Sequence, residues 1–413
     1  MENELSTNST KTDSMISCEV FTSFESLEGM QEEWDHFVES VGGEIFLTYD
    51  WCRIWWKYYG EKRDLKVFIF RDNKMLVGII PIFFEKIRLG PIPVKAAKIV
   101  GSDFTLTQFS PPLADGYIRP AVKKFYELVS KDNCDIIHIG PIAGLYDHCN
   151  ELKNILTEFF GNSHFILIEN NNVQTYFQLA DDWEGQLAGF SKNARKNIKH
   201  HYGMLNEVMK SEAGNLNSHF ATNKDFDEAF EDFVQMHQLH WQMLGKAGHF
   251  GDWPDSFGFH RELAKTQLKY DRLCFLVCTW GHNFIGYEYG YILGNKYFAF
   301  LNSRSNSEKL ANVGLGTVIF AEVVKKALDK KLRYIDAMRG KYEHKLRLGG
   351  KLFPIKSIYV IPRKISVRLR VYLFRLCARL LNLCYYRIWF GRLAPKLPFK
   401  RRPLWKIWIR SRL

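Results

Sequence analysis

Apolar residues recur at helical spacing in two segments near the start of the chain. In the segment TYDWCRIWWKYYG, Trp51, Ile54, Trp55 and Tyr58 fall at positions i, i+3, i+4 and i+7, and Gly60 is a plausible end point. The same spacing joins six apolar residues of the preceding segment: Phe24, Leu27, Met30, Trp34, Phe37 and Val38. The pattern predicts two amphipathic helices that face a core, and we interpret the aromatic stripe as core rather than as a ligand site.

Strand-like runs follow these helices. LKVFIFRDNKMLVGIIPIFFEKI holds two apolar runs separated by RDNK, which favours a turn, so the segment predicts a hairpin. A helix over about 120–131 then precedes the strand CDIIHIGPI, and NILTEFF and HFILIEN complete the region. The order predicts a mixed α/β half.

The same order recurs after residue 180. A basic helix, SKNARKNIKHHYGMLNEVMK, and a long amphipathic helix precede three strand-like runs, a glycine-containing loop, a helix over 316–330 and the strand RYIDAM. We therefore predict an α/β (α+β) fold with two tandem mixed sheets flanked by helices. The predicted units are a disordered leader (1–17), a first half (18–180), a second half (181–362) and a basic amphipathic helical tail (363–413).

Charge separates the tail from the rest of the chain. The formal net charge is +12, and residues 363–413 contain fifteen Lys and Arg and no Asp or Glu. Subtracting these fifteen charges leaves −3 for residues 1–362. The body is slightly acidic, which argues against a nucleic-acid partner for it.

The tail combines its arginines with large apolar residues. Its longest uncharged stretch between arginines is the seven residues after Arg379, far short of a transmembrane span. Arg368, Arg375 and Arg379 fall on one helical face, so the segment predicts an in-plane amphipathic helix at an anionic membrane surface. The alternative is a helix packed on the body, with its arginines paired to acids there.

The cysteine spacing and the N-terminal sequence give expectations for the cellular compartment and for metal binding. Eight scattered cysteines include no CxxC pair, and Cys274 and Cys278 alternate with apolar neighbours as buried strand residues do. The polar N-terminus MENELSTNSTKTDS lacks the features of a signal peptide. We predict no metal site and a cytoplasmic protein, peripheral at the inner face of the membrane.

A glycine turn carries the strongest chemical signal. Gly314-Leu315-Gly316 ends a loop, and the helix predicted after it begins at once with Thr317. Backbone N–H groups at a helix N-terminus, approached closely at glycine, suit a pyrophosphate. A plain helix start has the same sequence, so the turn is not specific by itself.

The context of this turn resembles the GNAT acyltransferases, in particular the tandem group of CelD-like proteins of cellulose and exopolysaccharide biosynthesis and the related FemAB-like peptidyltransferases. The resemblance covers most of residues 20–360. It rests on Val77-Gly78-Ile79-Ile80-Pro81, on the loop 310–316, and above all on Asp336-Ala337-Met338-Arg339-Gly340 with Lys345 five residues beyond. The chain departs from the pattern at Ala311, where a typical GNAT loop carries Gln or Arg.

The resemblance implies direct attack of an amine on an acyl thioester held between two diverging strands. Acyl-CoA, or an acyl-carrier protein, is then a co-substrate, and no separate cofactor is needed. The residues that it assigns to the donor are Phe300, Leu301, Asn302, Val313, Gly314, Leu315, Gly316 and Thr317.

The candidate bases and anion-binding residues each have an ordinary structural alternative. Glu288 and Asp336 are the candidate bases, although a solvent-facing strand glutamate and a structural aspartate are common. Arg339 and Lys345 suit an anionic group of the acceptor, or form salt bridges with Asp336 or Glu343. The candidates to line the acceptor site are His240 and Trp241.

The resemblance implies an N-acyltransferase, and the known members of the family suggest an amine of an amino sugar or lipid-linked glycan precursor as its acceptor. One alternative retains the fold and uses an aminoacyl-tRNA donor, as FemAB-like peptidyltransferases do. Another is a catalytically degenerate pair that serves as a polysaccharide-assembly subunit.

Overall fold

One continuous mixed sheet of twelve strands forms the centre of the molecule, with helices on both faces. The computed structural model describes residues 16–105, 107–243, 248–252, 254–397 and 404–413. The strand order is β1-β2-β3-β4-β5-β12-β6-β11-β10-β9-β8-β7. The predicted α/β class with tandem halves is confirmed, but the two predicted sheets are joined edge to edge.

The strands are β1 (Ser17–Phe21), β2 (Asp64–Asp72), β3 (Met75–Leu89), β4 (Ile92–Ile99), β5 (Ile136–Ile142), β6 (His164–Gln178), β7 (Leu216–Phe220), β8 (Leu273–Trp280), β9 (Asn283–Leu293), β10 (Lys296–Arg304), β11 (Tyr334–Arg339) and β12 (Lys351–Pro362). The helices of the first half are α1 (Gln31–Ser40), α2 (Tyr49–Tyr59), α3 (Ile118–Val129) and α4 (Cys149–Phe160). Those of the second half are α5 (Trp183–Gly189), α6 (Lys192–Met209), α7 (Phe226–Met243), α8 (His249–Asp252), α9 (Ser256–Lys269), α10 (Leu315–Asp329) and α11 (Glu343–Arg347). The tail contains α12 (Ile365–Leu381), a π-helical segment (Asn382–Leu393) and α13 (Trp405–Arg410).

The two halves exchange their last strands. β12 of the second half lies between β5 and β6, and β6 of the first half lies between β12 and β11. β6 and β12 pair antiparallel from His164↔Pro362 to Tyr176↔Lys351. Because each last strand completes the sheet of the other half, the halves share one backbone hydrogen-bond network. The predicted boundary at residue 180 follows β6 and stays a prediction.

Each half contains one place where neighbouring parallel strands separate. β4 and β5 pair over Ala96↔Ile136 to Lys98↔His138, and β10 and β11 pair over Lys296↔Tyr334 to Phe298↔Asp336. We call the space beyond the first pairing the first-half gap and the space beyond the second the second-half gap.

Aromatic side chains join the halves on one face of the sheet. The predicted aromatic helix is α2, and Trp51, Ile54 and Trp55 are fully buried. Trp51 packs edge-on against Tyr291 of β9 at a centroid distance of 4.9 Å, and Phe46 packs against Phe298 of β10 at 5.5 Å. The stripe is therefore core, as predicted, and part of that core lies between the halves.

The tail helix α12 packs on the body. Its inner face buries Val371 and Phe374, while Arg375 pairs with Glu169 at 2.6 Å and Arg370 with Asp135 at 2.9 Å. These two arginines therefore pair with acidic residues of the body, as the alternative prediction for the tail stated. Arg368, Arg375 and Arg379 lie on one side of α12, but Arg375 is partly buried against the body whereas Arg368 and Arg379 are exposed.

The outer face of the tail is apolar. Its exposed side chains follow helical spacing from α12 into the π-helical segment: Ile365, Leu369, Tyr372, Leu376, Leu380 and Leu383. We call these six residues the tail stripe. Within the described ranges, no helix is long and apolar enough to cross a bilayer. The predicted leader, 1–17, lies outside the described residues except for Ile16 and Ser17.

Candidate functional site

The second-half gap opens beside an irregularity in β10. The register between β9 and β10 shifts between Ala299 and Leu301, so Phe300 is extra in the ladder. Phe300 is buried in the aromatic core, and Leu301 and Asn302 continue the strand along the gap. The structure therefore brings three predicted donor residues to the edge of the gap.

A glycine turn starts α10 next to this gap. Gly314 has a φ of +72°, and a Cβ on it would lie 2.4 Å from Nδ1 of His201, so both the backbone and the packing require glycine. Val313 and Leu315 are buried beneath the turn, Gly316 is exposed, and the Thr317 N–H bonds the Gly314 carbonyl at 2.9 Å. No side chain caps the helix.

Arg304 is a cation at this turn that the sequence analysis missed. It ends β10, and its Nη1 lies 3.6 Å from the position that a Cβ on Gly316 would occupy. Its side chain is exposed and has no hydrogen bond or ion pair to any described residue. The strand end and the helix start therefore place a free guanidinium next to uncapped N–H groups. The eleven residues between Arg304 and Gly316 hide this proximity in the sequence.

Glu288 is buried on the sheet face that α10 covers. A Cβ on Gly286, two residues earlier, would touch Ile319 of α10, whereas Tyr287 and Tyr289 point to the opposite face and pack on α7. Burial raises the pKa of Glu288 to about 8, against the lowering effects of Lys345 and of a hydrogen bond from Asn302. The solvent-facing alternative is excluded, and Glu288 lies on the same face of the sheet as α10.

Asp336 lies on the other face and is tightly bonded. Its Oδ2 accepts hydrogen bonds from Gln108 and Gln174, both at 2.6 Å, and its Oδ1 accepts one from the Met338 N–H at 2.8 Å. Burial raises its pKa to about 6, against the Met338 hydrogen bond. Because three donors occupy its oxygens, and Gln108 comes from the first half, the geometry favours an orienting role.

The two predicted anion binders behave differently. Lys345 donates to the Ala337 carbonyl beside the second-half gap, and burial lowers its pKa while Glu288 and Asp336 raise it. Arg339 ends β11 with its Nε buried and without a partner. Neither forms the salt bridge with Asp336 or Glu343 that was the alternative, since Glu343 pairs with Arg347.

The predicted acceptor-lining residues lie on α7. His240 contacts the Asn306 side chain at 3.1 Å, and the Trp241 ring lies 6.0 Å from the rings of both His240 and His237. His237 also donates through Nδ1 to the Asn302 carbonyl of β10 at 2.9 Å. Burial lowers the pKa of His237 to about 4, so it is neutral and supports the bulged strand.

Metal and thiol chemistry find no support in the part of the chain that the structure describes. No group of three or more His, Cys, Asp or Glu has metal-binding geometry there. All eight cysteines are free, Cys274 and Cys278 are buried as predicted, and burial raises the pKa of Cys274 to about 12.

Comparisons with known proteins agree with this geometry. Residues 193–346 match the model of an acetyltransferase (GNAT) domain, and this range holds both strands of the second-half gap and the α10 turn. No protein with a curated description matches the chain.

Two solved structures share the fold over most of the chain. The crystal structure of FemX superposes with a TM-score of 0.59 at 9% identity, covering 82% of this chain and 98% of FemX. A conserved protein of unknown function from Bacteroides thetaiotaomicron VPI-5482 superposes with a TM-score of 0.50 at 11% identity, covering 81% and 97%. The second half is therefore similar to a GNAT acetyltransferase domain over residues 193–346, and this similarity supports an acyltransferase activity.

Proposed function

We propose that the protein transfers an acyl group from acyl-CoA to an amine of an amino sugar or lipid-linked glycan precursor, as CelD-like proteins of exopolysaccharide biosynthesis are expected to do. One observation carries the proposal: β10 and β11 stop pairing after Phe298 and Asp336, beside a helix N-terminus that no side chain caps. An acyl-CoA has a matching shape, because its pantetheine arm is narrow and its pyrophosphate is anionic.

In this arrangement the donor pyrophosphate rests on the N–H groups of the α10 turn. Arg304 adds a charge-assisted contact. It supplies the cation that the loop lacks at Ala311. The pantetheine arm then follows Phe300 to Asn302 along β10, where its amides pair with the strand edge.

Glu288 is the proposed proton acceptor. A carboxyl group whose pKa is about 8 binds the proton of an attacking amine better than an ordinary glutamate does. Lys345 lies close enough to favour its ionised form, so the two residues act as a pair. Asp336 orients β11 from the opposite face through its bonds to Gln108 and Gln174.

The test is the thermal shift of the full-length protein with acetyl-CoA and with longer acyl-CoAs. A ligand that binds only the native state raises the melting temperature. Gly316→Glu is compatible with the fold, since the site is exposed and acids favour the first helical turn, but it repels a phosphate.

Gly203→Glu is the matched control, because Gly203 is also an exposed helical glycine with open space around it. We expect stabilisation of the wild type and of Gly203→Glu, and none of Gly316→Glu. Equal stabilisation of both variants would refute the donor site. No stabilisation of the wild type by any acyl-CoA would refute the proposed donor and favour the acyl-carrier or aminoacyl-tRNA alternative.

We further propose that the tail stripe rests on an anionic membrane surface, which brings the acyltransferase to a membrane-bound acceptor. The six apolar side chains face solvent, and Lys364, Arg368, Arg379 and Arg387 are exposed around them. Apolar side chains flanked by cations suit the interface of a bilayer with anionic lipids. The residues that fix α12 to the body, Phe374 and Arg375, remain in place.

Flotation with vesicles tests this surface. The full-length protein should float with vesicles of phosphatidylcholine and phosphatidylglycerol but not with phosphatidylcholine alone. The double variant Leu376→Glu/Leu380→Glu should lose flotation, whereas Met75→Glu, at an exposed apolar residue at the start of β3, should retain it. Flotation of the double variant at the wild-type level would exclude the stripe as the contact.

A further inference from the structure

Asn302 of β10 lies directly opposite Glu288 of β9, and its backbone faces the second-half gap. The Ser305 N–H bonds the Ile285 carbonyl at 3.0 Å, and the ladder runs from there to the Asn302↔Glu288 pair without a register shift. Hydrogen-bonded and non-hydrogen-bonded pairs alternate along an antiparallel ladder, so the Asn302↔Glu288 pair is a non-hydrogen-bonded one. The N–H and C=O groups of Asn302 therefore point away from β9 and towards the gap.

A histidine from the opposite face of the sheet holds this backbone. His237 of α7 contacts the Asn302 carbonyl through Nδ1 at 2.9 Å. A carbonyl oxygen only accepts hydrogen bonds, so Nδ1 carries the proton and the tautomer of the imidazole is fixed. Phe250 and Trp241 pack against the ring at centroid distances of 5.6 and 6.0 Å, and His237 is 4% exposed. A buried donor in a packed environment therefore fixes the open edge of β10.

Packing alone does not explain a histidine at this position. The Nε2 atom of His237 is buried and has no hydrogen-bond partner among the described residues. A buried polar atom without a partner costs free energy, and an apolar ring of similar size would avoid this cost. What the imidazole adds is its hydrogen bond to Asn302. A local cost of this kind beside a candidate site indicates a functional constraint on the residue.

The Asn302 side chain connects the same residue to Glu288. In a non-hydrogen-bonded pair the two side chains share a face and approach closely. Here that face is the α10 side, and the Asn302 amide donates a hydrogen bond that lowers the pKa of Glu288 against the effect of burial. Lys345, Cys278 and Tyr297 are ionisable neighbours of Glu288. Burial raises the pKa of the thiol and of the phenol, so both are neutral, and Lys345 and Asn302 stabilise the carboxylate.

We propose that His237 and Asn302 are positioning residues for acyl transfer: His237 fixes the Asn302 backbone, so that the Asn302 N–H faces the donor thioester and its side chain holds the Glu288 carboxyl group. The inference rests on the proposed function for the role of Glu288 as proton acceptor. One residue of β10 then connects three places, because its carbonyl reaches α7, its N–H faces the gap and its amide reaches β9. The acyl carbonyl and the proton acceptor are thereby held at a fixed separation.

The test is an NMR titration of the glutamate carboxyl carbons in the labelled full-length protein. The Glu288 resonance is identified by its absence in Glu288→Gln. Asn302→Leu retains the size of the side chain and removes the amide, so the pKa of Glu288 should rise by roughly one pH unit. Asn217→Leu, at an exposed asparagine of the edge strand β7, should titrate like the wild type. An unchanged pKa of Glu288 in Asn302→Leu would overturn the inference.

Two substitutions of His237 separate its hydrogen bond from its bulk. His237→Asn retains a side-chain N–H close to the position of Nδ1, so the pKa of Glu288 should stay at the wild-type value. His237→Phe retains a ring and loses the donor, so the pKa should rise, by less than in Asn302→Leu. With an acceptor that the wild type acylates, kcat should fall about tenfold in His237→Phe and stay within about threefold in His237→Asn. Identical titrations of the two variants would restrict His237 to packing and overturn its positioning role.

The titration needs neither donor nor acceptor, so its outcome is independent of the proposed reaction. Asn302 is exposed, and its replacement leaves the fold intact even if His237→Phe is unstable. If Asn302→Leu raises the pKa of Glu288 but Glu288→Gln retains the wild-type kcat, the proposed base is refuted and the contact between Asn302 and Glu288 is supported. If Glu288→Gln loses activity but Asn302→Leu leaves the pKa unchanged, the base is supported and the positioning by Asn302 is refuted.

Discussion

The two gaps in the sheet differ in what fills them. In the first-half gap, the chain segment 107–114 inserts as an extra strand: the Phe109 N–H bonds the Pro141 carbonyl at 2.9 Å, and the Ala143 N–H bonds the Phe109 carbonyl at 2.7 Å. On its other side, Ile79 donates to Pro112 at 2.9 Å. In the second-half gap, no described residue of the loop after β10 makes such a backbone bond to β11, and the Lys345 side chain donates to the Ala337 carbonyl.

This difference is the reason why we propose one donor site in an architecture that is used twice. The first half satisfies its separated strands internally, and what remains beside the insert is an apolar cavity of about 30 Å³ lined by side chains such as Ile79, Phe125 and Leu156. Such a cavity has no hydrogen-bonding group for a pantetheine or a phosphate. The second half leaves strand edges unpaired, which is what an extended amide-bearing donor needs.

The largest expected effect comes from Glu288→Gln. Loss of a general base should lower kcat roughly 10²–10⁴-fold, measured as thiol release with an amino-sugar acceptor on which the wild type turns over. Acyl-CoA affinity should not change. A kcat within a factor of about three of the wild type would exclude Glu288 as the base.

Stability gives the same variant a second readout. The pKa of Glu288 is about 8 in the folded protein against 4.5 for a model glutamate, so the folded state holds a proton that the unfolded state releases. Stability therefore falls as pH rises between these values. Glu288→Gln should remove this dependence and unfold at a higher temperature than the wild type at pH 8, so its lost activity cannot be attributed to misfolding.

The next effect tests the sealed gap. Phe109→Ala removes a side chain that is 2% exposed and should reduce the free energy of unfolding by about 3–5 kcal/mol. Because the backbone bonds of the insert do not depend on the side chain, acyl-CoA should still bind with the stoichiometry of the wild type, one per chain by calorimetry. A second equivalent bound by Phe109→Ala would mean that the first-half gap is a masked donor site.

The sequence alone could not predict most of this difference between the two gaps. The helices, the hairpin and the repeated order followed from residue periodicity, since Trp51, Ile54 and Trp55 form a buried face whichever partner covers them. The exchange of β6 and β12 did not, because alternating strands such as HFILIEN indicate a buried face but not which strand lies beside them. The sequence therefore predicted two sheets where one exists.

Some residues of the candidate site were likewise predictable from the sequence, and others were not. Gly314 was predictable because its positive φ and the close approach of His201 require glycine, whereas Gly316 is exposed and meets neither requirement. Arg304 was missed because its proximity to Gly316 depends on the path of the loop between them. The alternation of Glu288 with tyrosines showed that it faces away from them, but only the packing of α10 shows which face of the sheet Glu288 occupies, and only burial explains its raised pKa.

A smaller effect is expected from replacing Lys345, the proposed partner of Glu288. Lys345→Met removes the cation that lowers the pKa of Glu288, so that pKa should rise further above about 8. Because the ionised carboxylate is the base, the rising limb of kcat/KM against pH should move to higher pH. The control Arg347→Met, two residues further along α11 and exposed, should leave the limb in place. If the limb does not move in Lys345→Met, Lys345 does not influence the ionisation of Glu288.

The smallest expected effect tests whether Arg304 adds to phosphate binding at the start of α10. Arg304→Gln removes one exposed cation beside Gly316, which should weaken acyl-CoA binding about three- to tenfold, or ~1 kcal/mol, without changing kcat. The loss should shrink at high salt, because an exposed charge is screened. Lys210→Gln, which removes an exposed cation at the end of α6, serves as the control and should bind acyl-CoA normally. If Arg304→Gln matches this control at low salt, the α10 N-H groups alone hold the phosphates, and the strand end contributes position but no charge.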